Sequence, residues 1–184
     1  GKYAFHTAQE PNPWWQVDLG EVFPLSRLVV FNRLDYAPGL HNADNLRILT
    51  SEDGSQWTLR HEIKGQHFGG ISGAPPLEVR FQEGKVRARF VRLQIPSAAP
   101  IFLHLDEVEV IRAGKWENVA LNKPAEQSSV SQWSTAQPLP AEGPICFWIA
   151  SIRLMVNFTA RSPATWVFAN RYPSRAPVIS HSLK

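Results

Sequence analysis

The stretch NPWWQVDLG, residues 12–20, decides the fold. Pro13 prevents a helix from running through it, and the six residues that follow alternate apolar and polar side chains with the period of two of a half-buried strand. A second apolar run, from Leu25 to Phe31, predicts another strand, which ends in Arg33-Leu34-Asp35. Since loops and strand ends often carry binding groups, the charged pair after the second strand is a candidate site.

Strand patterns continue along the chain, and turn residues separate them. With the first two strands they make seven, and no segment reads convincingly as a helix; the further segments are residues 45–50, 57–63, 77–81, 88–95 and 103–111. This pattern predicts an all-β, antiparallel β-sandwich. The Asp53-Gly54 pair predicts a hairpin, and the Gly- and Pro-rich residues 65–76 predict one long loop.

Two of these segments alternate cleanly, as is typical of antiparallel strands with one solvated face. In residues 88–95, the pattern places Val91, Leu93 and Ile95 on one face. In residues 103–110, regular pairing would separate two sets of side chains: Leu103, Leu105, Glu107 and Glu109 on one face, and His104, Asp106, Val108 and Val110 on the other.

The composition is that of a globular protein. The 184 residues are 43% hydrophobic and include seven Trp and ten Phe, enough to build a core. The net charge is +3, but the basic residues are scattered among sixteen acidic ones, so we predict no nucleic-acid partner. The single cysteine, Cys146, excludes an intramolecular disulfide and a cysteine-based zinc site.

No membrane or export signal is predicted. The chain opens with Gly1-Lys2-Tyr3 and without an early apolar run, so its start reads as internal to a longer protein. The longest apolar stretch, residues 145–154, is interrupted by Arg153 and has about half of the roughly 20 residues that cross a bilayer. We therefore expect no transmembrane segment.

Four motifs together resemble the discoidin, or coagulation-factor type C, domain, which is a galactose-binding-like jelly roll. They are NPWWQVDLG, the Ser-x-Asp-Gly-x-x-Trp hairpin of residues 51–57, ARFVRLQI and LHLDEVEV. The branch that the chain resembles most is the fucolectin-type (F-type) lectin, whose motif is His, an Arg 27 positions later, an Asp two further on and a second basic residue five positions after the Asp. Here His6, Arg33 and Asp35 match, and Leu40 stands at the fourth position.

This resemblance implies a carbohydrate site. In the family, the His and Arg hydrogen-bond a terminal sugar such as fucose, and the Asp holds the guanidinium; here these are His6, Arg33 and Asp35. An Arg presents a rigid fork of donors, which suits sugar oxygens. Leu40 removes up to two hydrogen bonds, so we expect weaker or altered sugar specificity.

The rim of the same site is expected to include Tyr36, Leu40 and His41, together with the loop of residues 65–76. Tyr36, which replaces one of the family's paired cysteines, is suited to stack on the apolar face of a sugar. His41 is a candidate to replace the missing basic residue, although adjacent side chains of a strand point to opposite faces. His41, His61 and His67 share no spacing that indicates a metal site.

The resemblance also implies a structural Ca²⁺ site in an intact domain. Of its ligands this chain holds Asp106, through its carbonyl, and Glu107, through its carboxylate, whereas the Asp-Gly loop that supplies most of the others would precede His6. Two ligands are too few for an ion that takes about six to eight oxygens. We therefore read residues 1–112 as an N-terminally truncated jelly roll and expect calcium only in the complete parent.

The rest of the chain predicts further domains. Residues 113–137 read as a linker followed, from Trp116, by the opening strand of a second discoidin-like repeat, so we expect a larger multidomain protein. Residues 138–184 match no pattern and are left as an unassigned tail.

The predicted function is a non-catalytic, lectin-like module that binds glycans ending in fucose or galactose. Common catalytic motifs, such as Gly-x-Ser-x-Gly, His-Glu-x-x-His and the phosphate loop, are missing from the sequence. Two alternatives stay open: a discoidin-type adhesion module for protein or phospholipid, in which Arg33 and Asp35 are merely structural, and an accessory domain of a carbohydrate-active enzyme. We expect a secreted or cell-surface location, or a cytoplasmic one if the parent is a sugar-transferring enzyme.

Overall fold

The computed structural model describes residues 5–82 and 84–134, and this part of the chain is an antiparallel β-sandwich. Its elements are eight strands and one 3-10 turn, Ala37–Gly39; the strands are β1 (Phe5–His6), β2 (Trp14–Asn32), β3 (Arg47–Ser51), β4 (Thr58–Glu62), β5 (Leu77–Arg80), β6 (Arg87–Gln94), β7 (His104–Arg112) and β8 (Ala125–Gln127). The all-β prediction is confirmed. None of the described segments forms a helix long and apolar enough to span a membrane.

The long strand β2 belongs to both layers of the sandwich. Its first half pairs with β6 and β8, and its second half pairs with β7 and β5. The prediction of two separate strands, residues 14–19 and 25–31, is wrong, because the chain continues through an irregularity between Asp18 and Phe23. Gly20 takes a φ of 90° there and donates its N–H to the Asp18 carboxylate, so the strand bulges instead of turning back.

The core lies between the two layers. Val91 and Leu93 of β6, and Ile95 directly after it, are at most 1% exposed, which confirms the face predicted for them. Phe5 of β1 stacks on Trp15 of β2, with 4.9 Å between ring centroids, so the short first strand is anchored to the core. The hairpin predicted at Asp53-Gly54 joins β3 to β4.

Strand β7 departs from the regular alternation that the sequence predicts. Leu105, Val108 and Val110 are all buried, although regular pairing would place Leu105 on the opposite face from the two valines. The register shifts between Phe31–Glu107 and Asn32–Leu105, so that one step along β2 corresponds to two steps along β7. A bulge therefore lies at Asp106, close to the end of β2.

The segment predicted to open a second repeat lies against the same sandwich in this structure. Residues 125–127 form β8 and pair with the start of β2. The side-chain oxygen of Asn118 accepts a hydrogen bond from the backbone N–H of Val110. The side-chain amide of Gln127 donates one to the backbone carbonyl of His6. Residues 118–131 therefore fold together with residues 5–112 in this structure. The second repeat, predicted to open at Trp116, stays a prediction, and the unassigned tail of residues 138–184 lies outside the described residues.

Candidate functional site

The candidate residues come together where three neighbouring strands end. In the hydrogen-bonded order, β7 lies between β1 and β2. His6 of β1 pairs with His104 of β7, and Asn32, the last residue of β2, pairs with Leu105. Arg33 follows Asn32 directly, so the strand order brings it to the end of the sandwich where His6 lies.

Asn32 is the buried residue that fixes the loops around this end. Its side-chain Nδ2 donates to the carbonyl of Leu40 at 2.9 Å and to that of Phe68 at 3.2 Å. Its backbone N–H donates to the carbonyl of Gly69 at 3.0 Å. Asn32 therefore ties the turn of residues 37–40 to the loop of residues 65–76. Its role was not predicted, because a strand-end Asn does not reveal its partners in distant loops.

The charged pair forms as predicted, with an aromatic ring beside it. Arg33 donates from Nε to the Asp35 carboxylate, and its guanidinium carbon lies 5.4 Å from the centroid of the Tyr36 ring. The Arg33 side chain is only 12% exposed, whereas Asp35 and Tyr36 face solvent. A carboxylate and a ring that both hold a guanidinium restrict its rotamer, which prepares it to bind a ligand with little loss of side-chain entropy.

His6 is buried beside this pair and is held as a neutral ring. It is 5% exposed, and Nδ1 donates to the carbonyl of Thr7 at 2.8 Å. Burial lowers the pKa of His6, and the positive charge of Arg33 lowers that pKa further. Since Nδ1 carries the proton, Nε2 is the acceptor atom of the neutral ring.

His104 is a further residue of the site that the sequence did not identify. Its ring centroid lies 5.0 Å from that of His6, and Asn42 donates its side-chain N–H to His104 Nε2 at 3.2 Å. Burial lowers the pKa of His104 to about 4, with smaller contributions from His6 and Arg33. The alternating pattern of residues 103–110 was visible in the sequence. The pairing of His104 with His6 was not, because it depends on the order of the strands in the sheet.

Gly39 is the residue that lets the 3-10 turn pack on His104. A Cβ at this position would lie 2.6 Å from His104 Nε2. Leu40, which follows, is half-buried and closes the turn, so an apolar side chain stands where the resemblance expects a basic one.

His41 contacts residues other than Arg33 and Asp35. Its Nδ1 lies 2.8 Å from an oxygen of Asp44, and its ring lies beside that of His67. Tyr36 is therefore the predicted rim residue that contacts Arg33, whereas the contacts of His41 join it to Asp44 and His67.

The Ca²⁺ ligands that the resemblance implies, Asp106 and Glu107, lie at the bulge of β7. Glu107 lines a small pocket with Trp15, Asn118 and Leu121, but the Asn118 oxygen already accepts two backbone N–H groups. Within residues 5–82 and 84–134, the group of three acidic or imidazole side chains close enough to share an ion does not include either of them. Calcium in a longer parent chain stays a prediction.

Comparison with known proteins agrees with this architecture. Residues 1–108, more than half of the chain, match the family model of the F5/8 type C domain. The chain belongs to the F5/8 type C domain family. A search of curated proteins found no match.

Solved structures similar to this F5/8 type C chain include three lectin or fucose-binding proteins. The lectin domain of lectinolysin complexed with Lewis B antigen is 32% identical, and the match covers 59% of this chain and 71% of that one, with a TM-score of 0.46. The Streptococcus pneumoniae fucose binding module SpX-3 is 23% identical over 60% and 77%, with a TM-score of 0.47. A fucolectin from Morone saxatilis (striped bass) serum is 28% identical over 60% and 37%, with a TM-score of 0.46.

Proposed function

We propose that the chain is a non-catalytic carbohydrate-binding module that recognises a terminal monosaccharide, such as fucose or galactose, on a glycan. The observation that carries this proposal is the arrangement at the ends of β1 and β2: Arg33, held by Asp35 and flanked by Tyr36, close to the neutral ring of His6. The F-type motif, matched at three of its four positions, supports the same site.

The arrangement suits the chemistry of sugar hydroxyls. A hydroxyl both donates and accepts a hydrogen bond, so it can donate to Nε2 of His6 and accept from the guanidinium of Arg33. Hydrogen bonds that involve a charged group contribute about 1.5 to 3 kcal/mol each. The Tyr36 ring, 49% exposed, offers an apolar surface for the C–H face of the sugar.

Leu40 sets the expected limit on affinity. Without a second guanidinium, the site offers fewer charged donors than the full F-type motif. We therefore expect shallow, weak binding to single sugars, strengthened when several sites act together on one surface.

The test is a glycan-array screen of the full chain, followed by calorimetry with free fucose and galactose. We compare Arg33→Ala with Arg80→Ala, since Arg80 lies on β5, pairs with Glu78 and is 73% exposed. Arg33→Ala should reduce sugar affinity by about 10-fold or more, because it removes charged hydrogen bonds, whereas Arg80→Ala should bind like the unmodified chain. A folded chain that binds no glycan, or equal losses in both variants, would overturn the proposal.

The same preparations distinguish the alternative functions. A phospholipid-binding module should bind anionic vesicles in a salt-dependent way and ignore free sugars. The loop of residues 65–76, where Ile71 is 43% exposed, would then carry the contact, and Ile71→Ser would reduce vesicle binding. An accessory role in an enzyme would leave sugar binding intact and place catalysis in flanking sequence.

A further inference from the structure

His41, Asp44 and His67 bring two imidazoles and a carboxylate together from two separate loops. His41 Nδ1 lies 2.8 Å from Asp44 Oδ2, and His67 Nδ1 lies 3.1 Å from Asp44 Oδ1. One ligand atom from each side chain lies within 4.8 Å of the others. The two ring centroids are 4.7 Å apart. None of these three side chains takes part in the Arg33–Asp35 pair.

We propose that these three side chains form a binding site for a divalent transition-metal ion such as Zn²⁺. Two imidazole nitrogens and one carboxylate oxygen form a donor set that zinc, nickel and copper accept, whereas calcium prefers oxygen ligands throughout. Three protein ligands leave a fourth position to water or another ligand, as in open zinc sites.

The distances require only a small contraction. Metal–ligand bonds of about 2.0 to 2.2 Å place neighbouring ligand atoms about 3.3 to 3.6 Å apart around a tetrahedral ion. The present separations are all within 4.8 Å, so small side-chain rotations close the site. His41 is 74% and His67 37% exposed, which leaves their rings room to rotate.

The backbone around the cluster is already fixed. The N–H of Gln66 donates to the carbonyl of Asp44 at 3.1 Å, and the N–H of Gly65 donates to the Asn45 side chain at 2.9 Å. These bonds hold the loop that contains His67 against the turn that contains His41 and Asp44. A bound ion would cross-link the two loops at a point where they already touch.

Metal binding would also change the tautomer of both imidazole rings. In the present arrangement the carboxylate accepts from both rings, so each neutral ring carries its proton on Nδ1. An ion bound at Nδ1 takes the lone pair of that nitrogen, and the proton of each ring moves to Nε2. The tautomer of both rings therefore reports occupancy independently of any sugar.

The experiment titrates the full chain with Zn²⁺ alone by calorimetry and follows the imidazole ¹⁵N shifts by NMR. All preparations carry Cys146→Ser and His181→Ala, since both residues lie outside the described part and would compete for the ion. We expect one strong equivalent of Zn²⁺ and a weakening of at least about 10-fold in His41→Ala and in His67→Ala.

The matched control is His61→Ala, on β4, where the histidine pairs with Ile48 and lies outside the cluster. It should bind Zn²⁺ like the parent preparation. Equal affinity in His61→Ala and His67→Ala, or a parent chain that binds no Zn²⁺ while its NMR spectrum shows it folded, would overturn the proposal. Sugar binding by Arg33 is measured without metal, so failure of either proposal leaves the other intact.

Discussion

Two pairs of histidines in this fold have similar ring separations and opposite surroundings. The rings of His6 and His104 are buried, and the charge of Arg33 acts on both of them. The rings of His41 and His67 face solvent and share the carboxylate of Asp44. Burial near a cation favours the neutral form of a ring, and a shared carboxylate places the ring nitrogens as the proposed metal site requires. Histidine therefore has different roles in the two proposals: the first pair belongs to the proposed sugar site and the second to the proposed metal site.

The largest expected difference between the pairs is in how stability depends on pH. His104 has a pKa of about 4 in the folded chain, against its ordinary value of 6.5. Between these values the unfolded chain binds more protons, so the free energy of unfolding should fall as the pH drops from about 6.5 to about 4. At about 1.4 kcal/mol per pKa unit, the loss is about 3 kcal/mol, measured by urea denaturation across this range.

Two variants separate this contribution from those of other groups. His104→Gln should flatten most of the slope, leaving the smaller contribution of His6, whose pKa burial also lowers. His41→Gln should retain the slope, because it leaves the buried pair intact. Burial raises the pKa of Glu109, which acts with the opposite sign in all three proteins and so cancels in the comparison. An unchanged slope in His104→Gln would contradict the buried-pair interpretation.

The next effect concerns the packing of the 3-10 turn on the buried pair. Gly39→Ala places a methyl group 2.6 Å from Nε2 and 2.8 Å from Cε1 of the buried His104 ring, and 2.9 Å from Cδ1 of the exposed Tyr36. We expect a loss of about 1 to 3 kcal/mol in the free energy of unfolding. In the His104→Ala background the same substitution should cost less, since the buried ring is gone and only the exposed Tyr36 ring has to shift. Equal costs in both backgrounds would show that the turn does not depend on this contact.

Much of the fold and part of the site could be predicted from local sequence. The alternation of Val91, Leu93 and Ile95 identified their common face, because side chains of a strand alternate whatever its partners are. The contact between Arg33 and Asp35, two positions apart at a strand end, was predicted from the resemblance to the F-type motif. The Asp53-Gly54 hairpin depends on turn chemistry that is contained in the turn itself.

The features that were missed depend on contacts between distant segments. The sequence predicted separate strands before and after Gly20, but the pairing of β2 with β6 on both sides of this residue keeps the chain extended. Strand order alone brings His104 beside His6, and a loop-to-loop contact alone brings His67 to Asp44. The placement of β8 on β2 likewise depends on a free strand edge, which a motif search along the chain does not reveal.

A smaller effect is expected at Leu40, which closes the 3-10 turn and directly precedes His41. Leu40→Arg restores the second basic residue of the F-type motif on a backbone that Asn32 already holds through the Leu40 carbonyl. We expect fucose affinity to rise about 10-fold, as one additional charged hydrogen bond would give. Leu40→Gln, which is similar in size and uncharged, should gain far less. Equal affinity for Leu40→Arg and the unmodified chain would place the sugar elsewhere on this surface.

The smallest effect is expected at Tyr36, which separates the role of the aromatic face from that of the charged pair. Tyr36→Ala removes the ring that lies beside the Arg33 guanidinium and is 49% exposed to a ligand. Loss of stacking at an exposed site is worth about 0.5 to 1 kcal/mol, so sugar affinity measured by calorimetry should fall about threefold. Tyr36→Phe keeps the face and should bind like the unmodified chain. If Tyr36→Phe loses as much as Tyr36→Ala, the hydroxyl makes the contact. Tyr36 would then act as a polar ligand, the role proposed for His6. The proposed Zn²⁺ binding at His41 and His67 should be the same in both variants.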